Sequence, residues 1–429
     1  MAQGSPRGRW AAFEDLLVIT ILVLLGFPDK NQRQLYVGEI PVLFLLYWLL
    51  SVFVLVRAVV SRRHRTVWNA VSGAGLALLV LMGCLSFAHR AEPGFRLRFV
   101  VIDATVVSGL LIGALWASMR ASSAILRVLK LGAVVSMLSV GLTIAGLSYG
   151  LIEGSGGGWR KYTQEMFLSA YVLAVFAPVL ILTRSLGSER SGRRRARIGF
   201  ASIGVVFLAG LYTGTRSTTL CAIVSLGLCL FMRVKVRSRV FGPAVCLALV
   251  GIVCWSVVGR AISAGREYEY ETTVFGRLAN TSLEEEQRSV ELTLMFDDLG
   301  SDAIWGRGLG SRFFLGRLRR QYDYGSTPHM GIFAFLMKGG VLGFSLAVVV
   351  PALLALGKLV WARSRVTESG WWCSIIVYLC NGAISGGWTF CEVFFYGSAL
   401  SMVLASRSID KQPTFLPDGP VSDEWRAVS

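Results

Sequence analysis

A chain of 429 residues that is 54% hydrophobic and only 16% charged, with a mean hydropathy of +0.59, is too apolar for a water-soluble fold of this length, so lipid is the solvent for most of it. A formal charge of +17 would point to nucleic acid in a soluble protein. Here the basic residues, such as Arg62, Arg63 and Arg65 or Arg193, Arg194, Arg195 and Arg197, stand in short runs between apolar segments, as cytoplasmic loops do, and a nucleic-acid partner is not expected.

A spanning helix needs roughly 20 mainly apolar residues. About twelve stretches meet that need, beginning near Phe13, Ile40, Val67, Phe99, Ile125, Glu165, Ile198, Ser217, Phe241, Gly331, Trp371 and Cys391. The fold expected is therefore all-α, a polytopic integral membrane bundle with one large loop outside the cytoplasm. The first stretch is short, but the following Pro28-Asp29-Lys30-Asn31 offers no small-residue cleavage site, and it should stay uncleaved. Residues 1–259 carry spans one to nine, 260–330 the loop, 331–406 spans ten to twelve, and 407–429 a polar tail.

Positive charge should gather on every second loop. The loops at Arg62 to Arg65, Arg120 to Lys130, Arg184 to Arg197, Arg233 to Arg239 and Lys358 to Arg365 fall on one side with both termini, which places the termini in the cytoplasm. The loop with Arg90, Arg96 and Arg98 falls on the other side and goes against the trend. The long loop from Arg260 to Met330 holds nine Arg and eleven acidic residues, a balance that suits a folded cap. Within it the run from Leu283 to Leu299 has the spacing of an amphipathic helix lying on the membrane.

Cys221, Cys229, Cys246, Cys254, Cys373 and Cys380 lie inside apolar runs, and no C-x-x-C occurs, so they read as small membrane-helix residues. His64, His89 and His329 follow no metal-ligand spacing, and no metal is expected.

Three segments could carry chemistry. In the first, Thr213-Gly214-Thr215-Arg216-Ser217 is the tip of a hairpin whose arms have only about 16 apolar residues each, short for a core about 30 Å thick. The tip is drawn toward the headgroups, where Arg216 either meets an anionic ligand or snorkels to interfacial phosphates. In the second, Arg288 precedes the amphipathic run, which ends in Gly306-Arg307-Gly308-Leu309-Gly310. Gly308 and Gly310 would let backbone N–H groups approach an anion beside Arg307 and Arg312, or simply make a turn. In the third, His329 stands at the outer mouth of a span that carries Lys338, Gly339 and Gly340. The glycines there would let Lys338 snorkel or let another helix pack closely.

In this order and at these separations the segments resemble the O-antigen ligase and Wzy-type polysaccharide polymerase superfamily. Its members have a Thr-Gly-Ser-Arg-like tip, matching Thr213 to Ser217; an Arg opening a stretch that ends in Gly-x-Gly-x-Gly, matching Arg288 and Gly306 to Gly310; and a His before a Gly-Gly-x-x-Gly span, matching His329 and Gly339 to Gly343. The match covers roughly residues 200 to 350. Met330 stands where the family often has Asn, and Thr-Arg-Ser where it often has Ser-Arg-Gly.

The resemblance implies a bacterial inner-membrane enzyme that transfers an undecaprenyl-diphosphate-linked glycan to a glycan acceptor on the periplasmic face, without metal or other cofactor. Further partners would be the lipid bilayer and a chain-length regulator or flippase of the same pathway. Arg216 and Arg288 then stabilise the diphosphate, and His329 serves as base or orients the acceptor. Arg307, Arg312, Gly308, Gly310, Thr215 and Ser217 become substrate contacts. A polymerase of exopolysaccharide or O-antigen leads over a ligase, and a lipid-linked sugar transporter or a non-enzymatic assembly subunit are the alternatives of other classes.

Overall fold

The computed structural model describes residues 6–25, 36–37, 40–60, 68–91, 95–148, 168–183, 189–213, 216–235, 282–314, 324–325, 328, 331–361, 366–384 and 388–409. These form helices α1 (Pro6–Leu25), α2 (Val42–Val60), α3 (Ala70–Ala88), α4 (Leu97–Ser118), α5 (Ser122–Ser148), α6 (Leu168–Leu182) and α7 (Glu189–Thr213). There follow α8 (Arg216–Lys235), α9 (Ser282–Leu299), α10 (Ala334–Phe344), α11 (Val350–Trp361), α12 (Val366–Ile384) and α13 (Phe390–Ile409). Two short antiparallel pairs accompany them, β1 (Tyr36–Val37) with β2 (Ile40–Pro41), and β3 (Phe313–Phe314) with β4 (Tyr324–Gly325). Helices stand at every expected stretch except the one from Phe241, which lies outside the described residues, as does the tail after Ile409.

Five helical segments are long and apolar enough to cross a membrane: Val42–Val60, Ala70–Ala88, Leu97–Ser118, Ser122–Ala145 and Gly331–Lys358. The segments Ala170–Leu182, Thr218–Met232 and Phe390–Leu404 are apolar but shorter. In lipid every backbone group needs a partner inside the protein, and the breaks in the helices meet that need. Pro178 within α6 has no N–H for the carbonyl of Ala174, and the Ser225 hydroxyl donates to that carbonyl instead, at 3.1 Å. Asn69 caps α3 by accepting from the N–H groups of Val71 and Ser72, both at 3.0 Å.

The centre of the bundle is the pair α4 and α13. Gly109 faces Phe390 and Gly113 faces Phe394 so closely that a Cβ on Gly113 would overlap the Phe394 carbonyl, and the two helices run in the same direction. Small residues are what allow backbones to approach in lipid, where apolar side chains gain little by leaving the solvent. At the C-terminal end of α4 the Arg120 guanidinium donates to Glu14 at 2.7 Å and to Asp15, and lies 4.6 Å over the Trp116 ring. Arg57 at the end of α2 also reaches Glu14, at 2.9 Å. The first turns of α1, the end of α2 and the α4–α5 turn thus share one end of the bundle, in keeping with the grouping of basic loops.

The opposite end is where α3 finishes, α4 begins, and the polypeptide from α9 to α10 folds back.

A candidate functional site at the glycine loop

The sequence after α9 continues through a short 3₁₀ turn (Gly300–Ala303) into the loop Ile304 to Arg312. Gly306, Gly308 and Gly310 have φ of 82°, 78° and 78°, a left-handed conformation that only glycine adopts at little cost. A Cβ on Gly308 would overlap the backbone of Ser86 in α3, and one on Gly306 would overlap the backbone N–H groups of Gly339 and Gly340. The glycines therefore serve both backbone conformation and close approach.

The partner surface is a broken helix. Gly340 has φ 62° and ψ −165°, which interrupts α10 and leaves carbonyls without the N–H groups of the next turn. The loop supplies them: Arg307 N–H donates to the Met337 carbonyl and Gly308 N–H to that of Lys338, both at 2.9 Å. In return Val341 N–H donates to the Ile304 carbonyl at 3.0 Å. The two glycine motifs singled out in the sequence are thus the two halves of one backbone interlock.

This geometry revises one expectation. The loop N–H groups expected to receive an anion already donate within the protein: Gly306 to Asp302, Leu309 to Met82, and Gly310 to the Asp103 carboxylate at 2.8 Å. Gly308 and Gly310 shape the loop rather than contact a ligand through their N–H groups. Arg307 is likewise committed, donating to Asp302 at 2.9 Å and to Asp298 at 2.6 Å, and bonding the Asp298 carbonyl near the end of α9.

Beneath the loop lies a buried ion pair that the sequence reading did not assemble. Lys338 Nζ is 2.8 Å from Asp103 Oδ2, with side chains 0% and 2% exposed. Lys338 also donates to the Ser311 carbonyl, while Asp103 accepts from the Trp388 indole N–H at 3.3 Å. The Ser311 hydroxyl closes the turn onto the Gly308 carbonyl at 2.7 Å. One carboxylate and one ammonium so tie together α4, α10, the loop and the α12–α13 connection. Such a pair is costly to bury and persists only where additional hydrogen bonds satisfy both groups, as they do here.

Of the remaining expected site residues, the structure describes the backbone of Arg288, Arg216 and Ser217 and the placement of Arg312. Arg288 sits in the first half of α9, whose second half packs Met295 and Leu299 against Phe313 and Met337. The amphipathic helix is thereby present. Arg216 and Ser217 open α8, and Cys221 one turn further on donates to Asn381 of α12 at 3.4 Å. His329 and Thr215 lie outside the described residues. The 3₁₀ turn Gly331–Phe333 places Ile332 against Gly382, next to Asn381. Asn381 in turn donates to Glu392 at 2.9 Å, and Thr389 donates to the same carboxylate at 2.8 Å. The first turn of α8, which carries Arg216, and the 3₁₀ turn Gly331–Phe333 thus meet the same end of α12. Arg312 packs beside α4, its Cζ 5.0 Å over the Phe99 ring. Burial and the neighbouring Arg96 hold its guanidinium below the usual arginine range.

The fold and its broken helix define a helical membrane protein with an interlocked cap at one end. No protein-family model, curated protein sequence or solved structure matches the chain.

Proposed function

We propose that this protein is a membrane glycosyltransferase that uses a polyprenyl-diphosphate-linked oligosaccharide as donor, of the O-antigen ligase and Wzy-type polymerase kind. The observation that carries the reading is the interlock of Gly306 and Gly308 with Gly339 and Gly340, which joins the two glycine motifs on which the resemblance rests. In this reading about twelve spans cross a bacterial inner membrane with both termini in the cytoplasm. The interlocked end then faces the periplasm.

The chemistry suits such a site. An acceptor hydroxyl attacks the anomeric carbon, the bond from that carbon to the diphosphate oxygen breaks, and the diphosphate departs with the electron pair. Diphosphate is a weak base and needs no proton from an acid. Arg216 and Arg288 bind the charge that develops on its oxygens, since guanidinium forks match phosphate geometry. His329 accepts the proton of the attacking hydroxyl, or orients that hydroxyl. Polymerase and ligase share this donor and differ in acceptor, and the polymerase is the reading favoured here. A carrier would need ionisable groups free to change partners deep in the spans. Asp103 and Lys338 instead hold the loop backbone, which favours the enzyme.

Loss of the gene tests the function. A polymerase mutant accumulates single repeat units on the lipid carrier, and a ligase mutant accumulates long polymer there. An unchanged pool of lipid-linked glycan would contradict both.

A further inference from the structure

The run Arg193-Arg194-Arg195-Ala196-Arg197 lies in the first turns of α7, and burial separates its members. Arg193, Arg194 and Arg197 are exposed, whereas Arg195 is only 8% exposed. It stands on the stripe that continues inward through Gly199, Ser202 and Ile203. A Cβ on Gly199 would overlap the Ile181 side chain near the end of α6, and the Ser202 hydroxyl lies 3.6 Å from the Met137 sulfur of α5. Joined to α13 by a short turn and by the Asn381–Glu392 bond, α12 starts at the end where α4 and α13 finish, and its Gly370 faces Thr183 just after α6. The start of α7 therefore shares the bundle end of Arg57 and Arg120.

Nε and Nη2 of Arg195 are buried without a hydrogen-bond partner among the described residues. Burial holds this guanidinium below the usual arginine range, and no carboxylate acts against that effect. An arginine does not shed its charge at neutral pH as a buried lysine can, so the cost of burying it falls only when an anion meets it. Glu14 and Asp15, at the same end, are bridged by Arg57 and Arg120. Further along, the outward faces of α5 and α7 are apolar. Leu131, Leu138, Leu142 and Leu208 are exposed, and Gly204 has open space where a side chain would stand. An anion that also carries fatty chains suits both surfaces.

We propose that Arg195 anchors an anionic phospholipid at the basic end of α7. The phosphate diester of the headgroup accepts from its Nε and Nη2 donors, and the acyl chains follow α5 and α7. Arg193, Arg194 and Arg197 attract the anionic surface as ordinary exposed charges do. The site stands at the end of the bundle opposite the interlock and does not depend on the function proposed above.

The test uses the full chain in nanodiscs of phosphatidylcholine, with or without phosphatidylglycerol, read by thermal unfolding. Phosphatidylglycerol is expected to raise the wild-type midpoint by about 3 °C or more, the effect of a ligand that binds the folded state alone. Arg195→Gln should lose most of that rise, while Arg194→Gln and Arg197→Gln keep it. Equal loss in all three variants would reduce the effect to general surface charge and overturn the site. In phosphatidylcholine alone, Arg195→Met should melt no lower than the wild type, because it removes a buried charge that has no partner. A lower midpoint there would reveal a partner within the protein and overturn the proposal. Titration of the purified chain with phosphatidylglycerol, followed by native mass spectrometry, should show the first bound lipid held about 10-fold more weakly by Arg195→Gln, the effect of one charge-assisted pair. Unchanged affinity would again overturn it. Inorganic phosphate added to the phosphatidylcholine discs separates the sources: no rise supports the lipid, and a rise as large as that from phosphatidylglycerol gives the site to a soluble phosphate and overturns the lipid assignment.

Discussion

Lys338→Met is expected to cost the folded protein about 3–5 kcal/mol, the usual consequence of removing one partner from a buried ion pair. The remaining Asp103 carboxylate would be 2% exposed, holding only the Gly310 and Trp388 N–H groups. The Ser311 carbonyl would lose its donor at the same time. The loop is the part that should loosen first, because its side-chain attachments to α4 and α10, from Gly310 to Asp103 and from Ser311 to Lys338, both run through this pair. Adding Asp103→Asn should restore much of the loss, since the amide oxygen still accepts from Gly310 and no charge is left buried. Thermal unfolding in detergent checks both, and a Lys338→Met protein that melts with the wild type would contradict the role given to the pair.

Arg216→Ala and Arg288→Ala are each expected to lower transfer by about 10²-fold or more, by analogy with the removal of one preorganised donor from a site of developing charge. The effect belongs to the bond-breaking step, so it should appear in kcat as well as in kcat/KM. Arg216 opens a helix, where the N-terminal end of the backbone dipole adds to its attraction for an anion. Glycan output in a strain carrying either variant at normal protein level is the measurement, and full output would remove the assignment. The contrast with Lys338→Met is informative: the arginine variants should keep the fold and lose the reaction.

The helices were legible in the sequence because lipid imposes a length and an apolar composition that soluble folds escape. The starts read near Val67, Phe99 and Gly331 fall close to those of α3 at Ala70, α4 at Leu97 and the Gly331–Lys358 segment. The amphipathic helix before the glycine loop was equally readable from its spacing. The buried network beneath the loop was not, because Asp103 and Gly310 stand 207 residues apart and nothing local pairs them. For the same reason Lys338 read as a snorkelling lysine rather than the partner of Asp103.

The glycine loop was recognised for its backbone freedom, with an approach to an anion and a plain turn both left open. A Gly-x-Gly-x-Gly run reports that N–H groups can approach something closely, and the broken helix at Gly340 takes the place an anion was expected to fill. For Arg307 the signal was present, since Asp298 and Asp302 lie within nine residues of it, and the acid-rich balance of the loop implied paired arginines. Arg96 was visible as a misplaced charge, and only its contact with the Gly310 carbonyl gives that charge a place beside the loop.

The most direct test of the central claim is to incubate the purified full chain with a polyprenyl-diphosphate-linked oligosaccharide in detergent. The expected result is a new glycosidic bond between oligosaccharides, with release of polyprenyl diphosphate and no requirement for added nucleotide. Recovery of the donor intact from a folded preparation would contradict it.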